Sequence, residues 1–153
     1  MPSFAVRTEL RVTPAAFWAR MSMSAVNAEL SPLVRMTCPD RWRRCPLAQW
    51  STGAVLFRSV VLLFGVLPVD LHSLRLESIY ADERGFLERS YSWCNRQWQH
   101  ERTTTATAAG CIVEDKVSVE GRIPAVTMLL LPVYRWVFLH RHRRLKALYG
   151  AAL

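Results

Sequence analysis

The sequence lacks the residue patterns that mark metal centres, nucleotide sites and hydrolase triads. Its four cysteines form no CxxC pair, and their spacing matches no zinc site. His140 and His142 are two residues apart, which would place them on different faces of a helix. The six glycines form no phosphate-binding loop, and no Ser-His-Asp order is present. We therefore expect neither a metal nor a cofactor.

Lysine is scarce, and the net charge of +8 comes almost entirely from arginine, since only Lys116 and Lys146 are lysines. A basic chain can contact nucleic acid or an anionic membrane. No nucleic-acid-binding motif accompanies the arginines, so we expect no nucleic-acid partner. A weak contact with an anionic membrane stays open, through the basic residues near the C-terminus: Arg141, Arg143, Arg144 and Lys146.

Long apolar runs are also missing. The first ten residues contain no charged segment followed by an apolar one, so we see no secretory signal and expect a cytoplasmic protein with reduced thiols. Residues 126–139 are interrupted by Pro132 and Arg135 and fall short of the ~20 apolar residues that a membrane span needs. With 153 residues, of which 51% are apolar, the chain predicts one domain over residues 1–153 with a real core.

The longest regular pattern lies near the C-terminus, over residues 123–149, and predicts one helix. Its apolar residues recur at spacings of three and four, which predicts one half-buried face. These residues are Val126, Leu129, Leu130, Val133, Val137, Leu145 and Leu148. Pro132 predicts a kink and Gly150 predicts the C-terminal stop.

The remainder of the chain reads mainly as strands. Residues 4–12 alternate as a half-buried strand, and two short helices follow, one opening at Thr13-Pro14 and one over 24–30. Strands are predicted over 33–38, 54–64, 72–80, 86–93, 97–106 and 111–120, with a loop over 39–53. Strands followed by one long helix indicate an α+β fold, in which an antiparallel sheet curves around the terminal helix.

One face of the last strands combines charge with aromatic rings. Asp115 shares its face with valines, and a turn near residues 108–109 would place it opposite Arg102. A turn at residues 94–95 would pair Trp98 with Tyr91 and His100 with Arg89. The predicted ligand-binding patch on the concave side is therefore Arg89, Tyr91, Trp98, His100, Arg102 and Asp115.

Two interpretations of this patch stay open, because a buried Arg-Asp pair can also serve only to fix strand register. His100 suits proton transfer near neutral pH, but equally suits a plain hydrogen bond. Trp42 and Trp50, in the loop over 39–53, fit a lid, a contact with a partner or ordinary packing.

Several motifs, taken in order, resemble the START-like polyketide cyclase/dehydrase superfamily, often written SRPBCC. They are Thr13-Pro14, residues 57–70, Trp98-x-His100, Val113-Glu114-Asp115-x-Val117, and Phe138-x-x-Arg141-His142-Arg143-Arg144-Leu145 before Tyr149-Gly150. The sequence departs from the family pattern at Trp93-Cys94-Asn95, where Gly-Pro-Phe is expected, and at Arg102, where a second histidine is expected.

The resemblance implies a helix-grip fold, with a seven-stranded sheet around the long helix and a deep apolar pocket between them. It implies binding of a small hydrophobic ligand, such as a lipid, polyketide or aromatic compound. An alternative is a cyclase or aromatase in which His100 or Tyr91 transfers a proton. A third possibility is a protein of the membrane surface.

Overall fold

The computed structural model describes residues 1–80, 82 and 84–150. Its strands are β1 (Ser3–Leu10), β2 (Val34–Met36), β3 (Val55–Leu63), β4 (Leu67–Ile79), β5 (Gly85–Ser92), β6 (Asn95–Ala106) and β7 (Cys111–Gly121). Its α-helices are α1 (Pro14–Ala19), α2 (Met23–Leu30), α3 (Asp40–Arg43) and α4 (Pro124–Tyr149), and a 3-10 turn covers Leu47–Gln49. The predicted order of the strands, with two short helices after the first strand and one long terminal helix, is confirmed.

All seven strands form one antiparallel sheet in the order β1-β7-β6-β5-β4-β3-β2. The sheet curves around α4, and α4 packs against β1, β7 and α2. This is the predicted helix-grip architecture, with two short helices after the first strand. Among the described helices, none is both long and apolar enough to cross a membrane.

Local sequence signals account for the ends of the helices. The Thr13 hydroxyl accepts a hydrogen bond from the Ala16 amide, and Pro14 occupies the first helical position of α1. Ser22 caps α2 in the same way, through the Ala25 amide. Gly150 ends α4 with a φ of 82°, a backbone conformation that glycine adopts without strain.

Two predictions about burial need correction. The segment over 39–53 is not a plain loop, because it forms α3 and the 3-10 turn and places Trp42 and Trp50 in the core. The rings of Trp42 and Trp50 pack edge to face with centroids 5.8 Å apart, so ordinary packing is their role.

The apolar face predicted for α4 is also largely wrong, since Leu129 is 74% exposed and Val133 is 49% exposed.

The face that α4 actually buries lies further along the helix. Its residues follow the helical period but include two basic side chains: Phe138, Arg141, His142 and Leu145. The basic residues near the end of the helix were predicted to be available for contact with an anionic membrane. Arg141 and the adjacent His142 instead enter the interior, and this places charge directly beneath the sheet.

Candidate ligand-binding site

A cavity of about 500 Å³ lies between the inner face of the sheet and α4. Its walls are mostly apolar, with Trp98 of β6 on one side and Tyr134 and Phe138 of α4 on the other. The Trp98 ring meets Tyr134 edge-on, with centroids 5.3 Å apart. A cavity of this size and lining is typical of a site for a small molecule.

Charged and titratable side chains also line the cavity. Strands β4, β5 and β6 and helix α4 supply them: Asp70, His72, Glu88, His100, Arg102 and Arg141. All of these except Asp70 are buried. Buried ionisable groups in an apolar setting require partners, and each of the five buried groups has at least one.

Asp115, on β7, is the centre of this network and is fully buried. Arg102 binds it with two hydrogen bonds of 2.7 Å, from Nε to Oδ1 and from Nη2 to Oδ2. His100 Nε2 lies 2.8 Å from Oδ1, and His142 Nε2 lies 2.8 Å from Oδ2. The carboxylate therefore joins two neighbouring strands to α4 through charge-assisted hydrogen bonds.

Glu29 extends the network to α2. Its Oε1 accepts a 2.7 Å hydrogen bond from Arg102 Nη1, and its Oε2 accepts a 2.9 Å hydrogen bond from Arg141 Nη2. Glu29 is 2% exposed, so both contacts lie out of reach of bulk water. The carboxylate fixes the two arginines relative to each other.

Glu88, on β5, extends the network in the other direction. Its Oε1 lies 2.7 Å from His72 Nε2, and its Oε2 lies 3.4 Å from His100 Nδ1. Ser90 donates a further hydrogen bond of 2.6 Å to Oε1. His100 thus has a carboxylate at each ring nitrogen. Because an ionised carboxylate only accepts hydrogen bonds, this arrangement favours the protonated imidazolium form of His100.

The ionisation of the network follows from these contacts. Burial raises the pKa of the Asp115 carboxyl, but Arg102 and His100 outweigh burial and hold that pKa well below its usual value. The pKa of Glu88 is lowered too, because hydrogen bonds from His100 and His72 outweigh the effect of burial. Burial lowers the pKa of His100, but Asp115 and Glu88 raise it overall.

The raised pKa of His100 predicts that the protein loses stability as the pH rises above the ordinary histidine pKa of 6.5. Below the ordinary pKa of 6.5, the folded and unfolded states both hold the proton, so the stabilisation is fully present. As the pH rises, the unfolded state loses the proton first, and the stabilisation is lost as the pH passes the folded pKa. Urea unfolding of the wild type should show the free energy of unfolding falling as the pH rises.

His100→Gln should remove most of that slope, and His140→Asn should keep it. His140 is a matched control because its Nε2 contacts only the Ser31 carbonyl, 2.8 Å away and outside the network. A free energy of unfolding that stays constant or rises with pH in the wild type would contradict the assignment of a protonated His100.

The structure places four of the six predicted patch residues in or directly beneath the cavity. Trp98, His100 and Arg102 line it, and Asp115 lies behind Arg102 and His100. The predicted pairing of β6 with β7 is confirmed, with Arg102 opposite Asp115 and His100 opposite Val117.

Arg89 and Tyr91 were predicted on the concave side, and this placement is wrong. Glu88 lies opposite His100, and Ser90 lies opposite Trp98. The register therefore differs by one residue from the prediction, which moves every side chain of β5 to the other face. Arg89 is exposed and Tyr91 is 42% exposed, both on the outer face.

The basic residues proposed for membrane contact also need correction. Arg141 is buried against Glu29, and Arg144 donates a hydrogen bond of 3.1 Å to the Ala28 carbonyl. Arg143 and Lys146 are exposed. Two of the four residues are therefore occupied by internal contacts with α2.

Three residues of the network were not predicted from the sequence: Glu29, His72 and Glu88. The burial of Arg141 and His142 was not predicted either. Charge complementarity was an available signal for Glu88, since a carboxylate opposite His100 is favourable and an arginine there is not. The spacing of Phe138, Arg141, His142 and Leu145 was an available signal for the helix. No local signal marks Glu29, whose partners lie 73 and 112 residues away.

One protein-family model matches most of the sequence. It is the model of a domain of unknown function, DUF8410, and it matches residues 8–149. The chain belongs to the DUF8410 family. The match includes the buried network and the cavity-lining residues of the DUF8410 domain. A comparison of its sequence with functionally curated proteins finds no match.

Solved structures resemble the DUF8410 domain over almost its whole length. Protein Ms6760 from Mycobacterium smegmatis has a TM-score of 0.66 at 10% identity, covering 99% of this chain and 92% of that one. Ginseng major latex-like protein 151 from Panax ginseng has a TM-score of 0.63 at 8% identity, covering 97% of each chain. At such identities the similarity establishes the helix-grip fold.

A third similar structure is larger. DynU16, described as a putative protein in the dynemicin biosynthetic locus, has a TM-score of 0.58 at 13% identity. The alignment covers 99% of the DUF8410 domain but 49% of DynU16, so this chain spans about half the length of that protein.

Proposed function

We propose that the chain binds a small hydrophobic molecule in the cavity between the sheet and α4, as a START-like (SRPBCC) ligand-binding domain over residues 1–153. The observation that carries this proposal is the cavity of about 500 Å³. Close packing fills most protein interiors, so a space of this size is maintained by the fold rather than left by chance. The helix-grip fold of Ms6760 and the ginseng protein supports the proposal.

The apolar walls would supply most of the affinity. Burial of apolar ligand surface contributes roughly 25 cal/mol per Å², and Trp98, Tyr134 and Phe138 offer flat surfaces for rings or chains. His100, Arg102 and Arg141 would select the polar part of the ligand. Asp115 holds His100 and Arg102 in position and lies behind them. Arg89 and Tyr91 take no part, because they lie on the outer face.

The uncharged dye N-phenyl-1-naphthylamine tests this proposal, because its fluorescence rises in an apolar environment. We expect a saturable increase with a stoichiometry of one dye per chain and competition by an unlabelled hydrocarbon. An increase that stays linear with dye concentration, or one that hydrocarbon does not reduce, would contradict a defined cavity site.

A second candidate function is proton-transfer catalysis on the bound molecule, of the cyclase or dehydratase type. Contact between His72, Glu88 and His100 along the cavity wall favours it, because acid and base groups then face the ligand together. Turnover lost in His100→Gln with dye affinity retained would support an enzyme. A change in affinity alone would support a binding protein.

A further inference from the structure

The charges buried beneath the cavity balance each other. Among the described residues, three buried carboxylates, Glu29, Glu88 and Asp115, meet three buried cations, Arg102, Arg141 and the His100 imidazolium. His72 and His142 each lie against one of these carboxylates, and a neutral ring is sufficient for each contact. The network therefore needs no further charge from a ligand.

Two buried nitrogen atoms of this network have no hydrogen-bond partner among the described residues, Arg141 Nε and His142 Nδ1, and of these two residues Arg141 lines the cavity. Arg141 is 6% exposed. Its Nη2 donates to Glu29, and its guanidinium lies 4.9 Å from the centre of the Phe138 ring. Its Nε is buried and makes no hydrogen bond within the described part of the chain. A buried donor without an acceptor costs free energy, which an acceptor on a ligand would recover.

We infer that the cavity takes an uncharged hydrophobic molecule that carries a hydrogen-bond acceptor, such as a carbonyl oxygen, and that this acceptor pairs with Arg141. This inference rests on the proposed function and specifies its ligand. The apolar part of the molecule would extend along α4 towards Tyr134, about 10 Å from Arg141 at 1.5 Å per residue.

Charged head groups fit the site less well. An ionised carboxylate would add a fourth negative charge without a counter-charge, and Asp70, which lines the same cavity, would repel it further. An ammonium group could pair with Asp70, but near Arg141 and Arg102 it would meet like charge and could not accept a hydrogen bond. A ligand without polar atoms would leave the Arg141 donor unpaired. An uncharged acceptor avoids all three costs.

Displacement of N-phenyl-1-naphthylamine by four ten-carbon compounds tests the inference: 2-decanone, 1-decene, decanoate and decylammonium. A purely apolar cavity would prefer 1-decene over 2-decanone, because the ketone is better hydrated in water. We expect the reverse order, with 2-decanone binding at least as tightly as 1-decene and more than tenfold tighter than decanoate or decylammonium at pH 7.5.

Arg141→Met should reverse the order, so that 1-decene binds tighter than 2-decanone. Arg144→Met is the matched control on the same helix, because Arg144 lies outside the cavity lining and donates to the Ala28 carbonyl. It should keep the wild-type order. If Arg141→Met does not fold, the order of the four compounds on the wild type still decides the question.

The outcomes separate this inference from the proposed function. Absence of dye binding to the wild type would overturn both. Saturable dye binding with 1-decene preferred over 2-decanone, or with decanoate preferred over either, would overturn the choice of an uncharged acceptor and leave a hydrophobic site. An unchanged order in a folded Arg141→Met protein would overturn the role of Arg141.

Discussion

Replacing Asp115 with asparagine is expected to lower the free energy of unfolding by about 3–5 kcal/mol. Arg102, which is fully buried, would lose its counter-charge, and no water could replace it. The asparagine amide keeps one acceptor oxygen, but its NH2 group would face two donors, for example Arg102 Nη2 and His142 Nε2. Asparagine keeps the shape of the side chain, so the expected loss comes from charge rather than from a cavity. Urea unfolding followed by tryptophan fluorescence measures it.

Asp40→Asn is the matched control. Asp40 pairs with Arg43 at 2.9 Å, but their side chains are 91% and 57% exposed, so the pair should contribute less than about 1 kcal/mol. The double variant Arg102→Met/Asp115→Asn should cost less than the two single changes together, because it removes the charge that each single change leaves unpaired. An Asp115→Asn cost no larger than that of Asp40→Asn would contradict the central role of the network.

Replacing Val137 with tryptophan is expected to weaken dye binding by about 100-fold or more, which corresponds to about 2.7 kcal/mol. Val137 is half-buried on α4 and lines the cavity, so an indole ring there would take up space that the dye needs. The partial exposure of this position should allow the larger side chain without loss of the fold. Titration with N-phenyl-1-naphthylamine measures the effect.

Val126→Trp is the corresponding control, because it makes the same change on the same helix outside the cavity lining. Val126 is 41% exposed and should accept tryptophan with no effect on dye affinity. Equal affinity of the Val137→Trp and wild-type proteins would mean that the dye binds elsewhere.

The fold was predictable because most elements follow simple periods. Strand β1 alternates strictly, with Val6, Thr8 and Leu10 buried, and β7 does so from Cys111 to Val119. The turn before β7 is short, so its position determines the register of β6 against β7. That register allowed the pairing of Arg102 with Asp115 to be predicted. Such patterns are local in sequence, so they can be recognised without knowledge of the fold.

Strand β5 was assigned to the wrong face because the turn before β6 was predicted at residues 94–95, whereas the observed pairing of Ser90 with Trp98 centres the turn on residue 94. Glu88, Ser90 and Ser92 point inward, while Leu87, Tyr91 and the adjoining Trp93 point outward. Phe86 also lies on the inner face, so apolar side chains occur on both faces and hydrophobicity alone does not choose between them.

The buried face of α4 was misjudged because it departs from the apolar pattern. Its first half exposes apolar residues such as Met128 and Leu129, and its second half buries Arg141 and His142. Burial of two basic side chains is favourable only because Glu29 and Asp115 meet them, and those partners come from distant elements. Hydrophobic periodicity along one segment cannot contain that information.

The indole N–H signals of the tryptophans test the central claim most directly, in a nuclear magnetic resonance titration of ¹⁵N-labelled protein with N-phenyl-1-naphthylamine. Trp50 and Trp98 line the cavity, while Trp93 and Trp136 are 73% and 50% exposed on the surface. We predict that the Trp50 and Trp98 signals shift and saturate at one dye per chain, with Trp93 and Trp136 unchanged. Shifts confined to Trp93 and Trp136, or no shift in any signal, would contradict binding in the cavity.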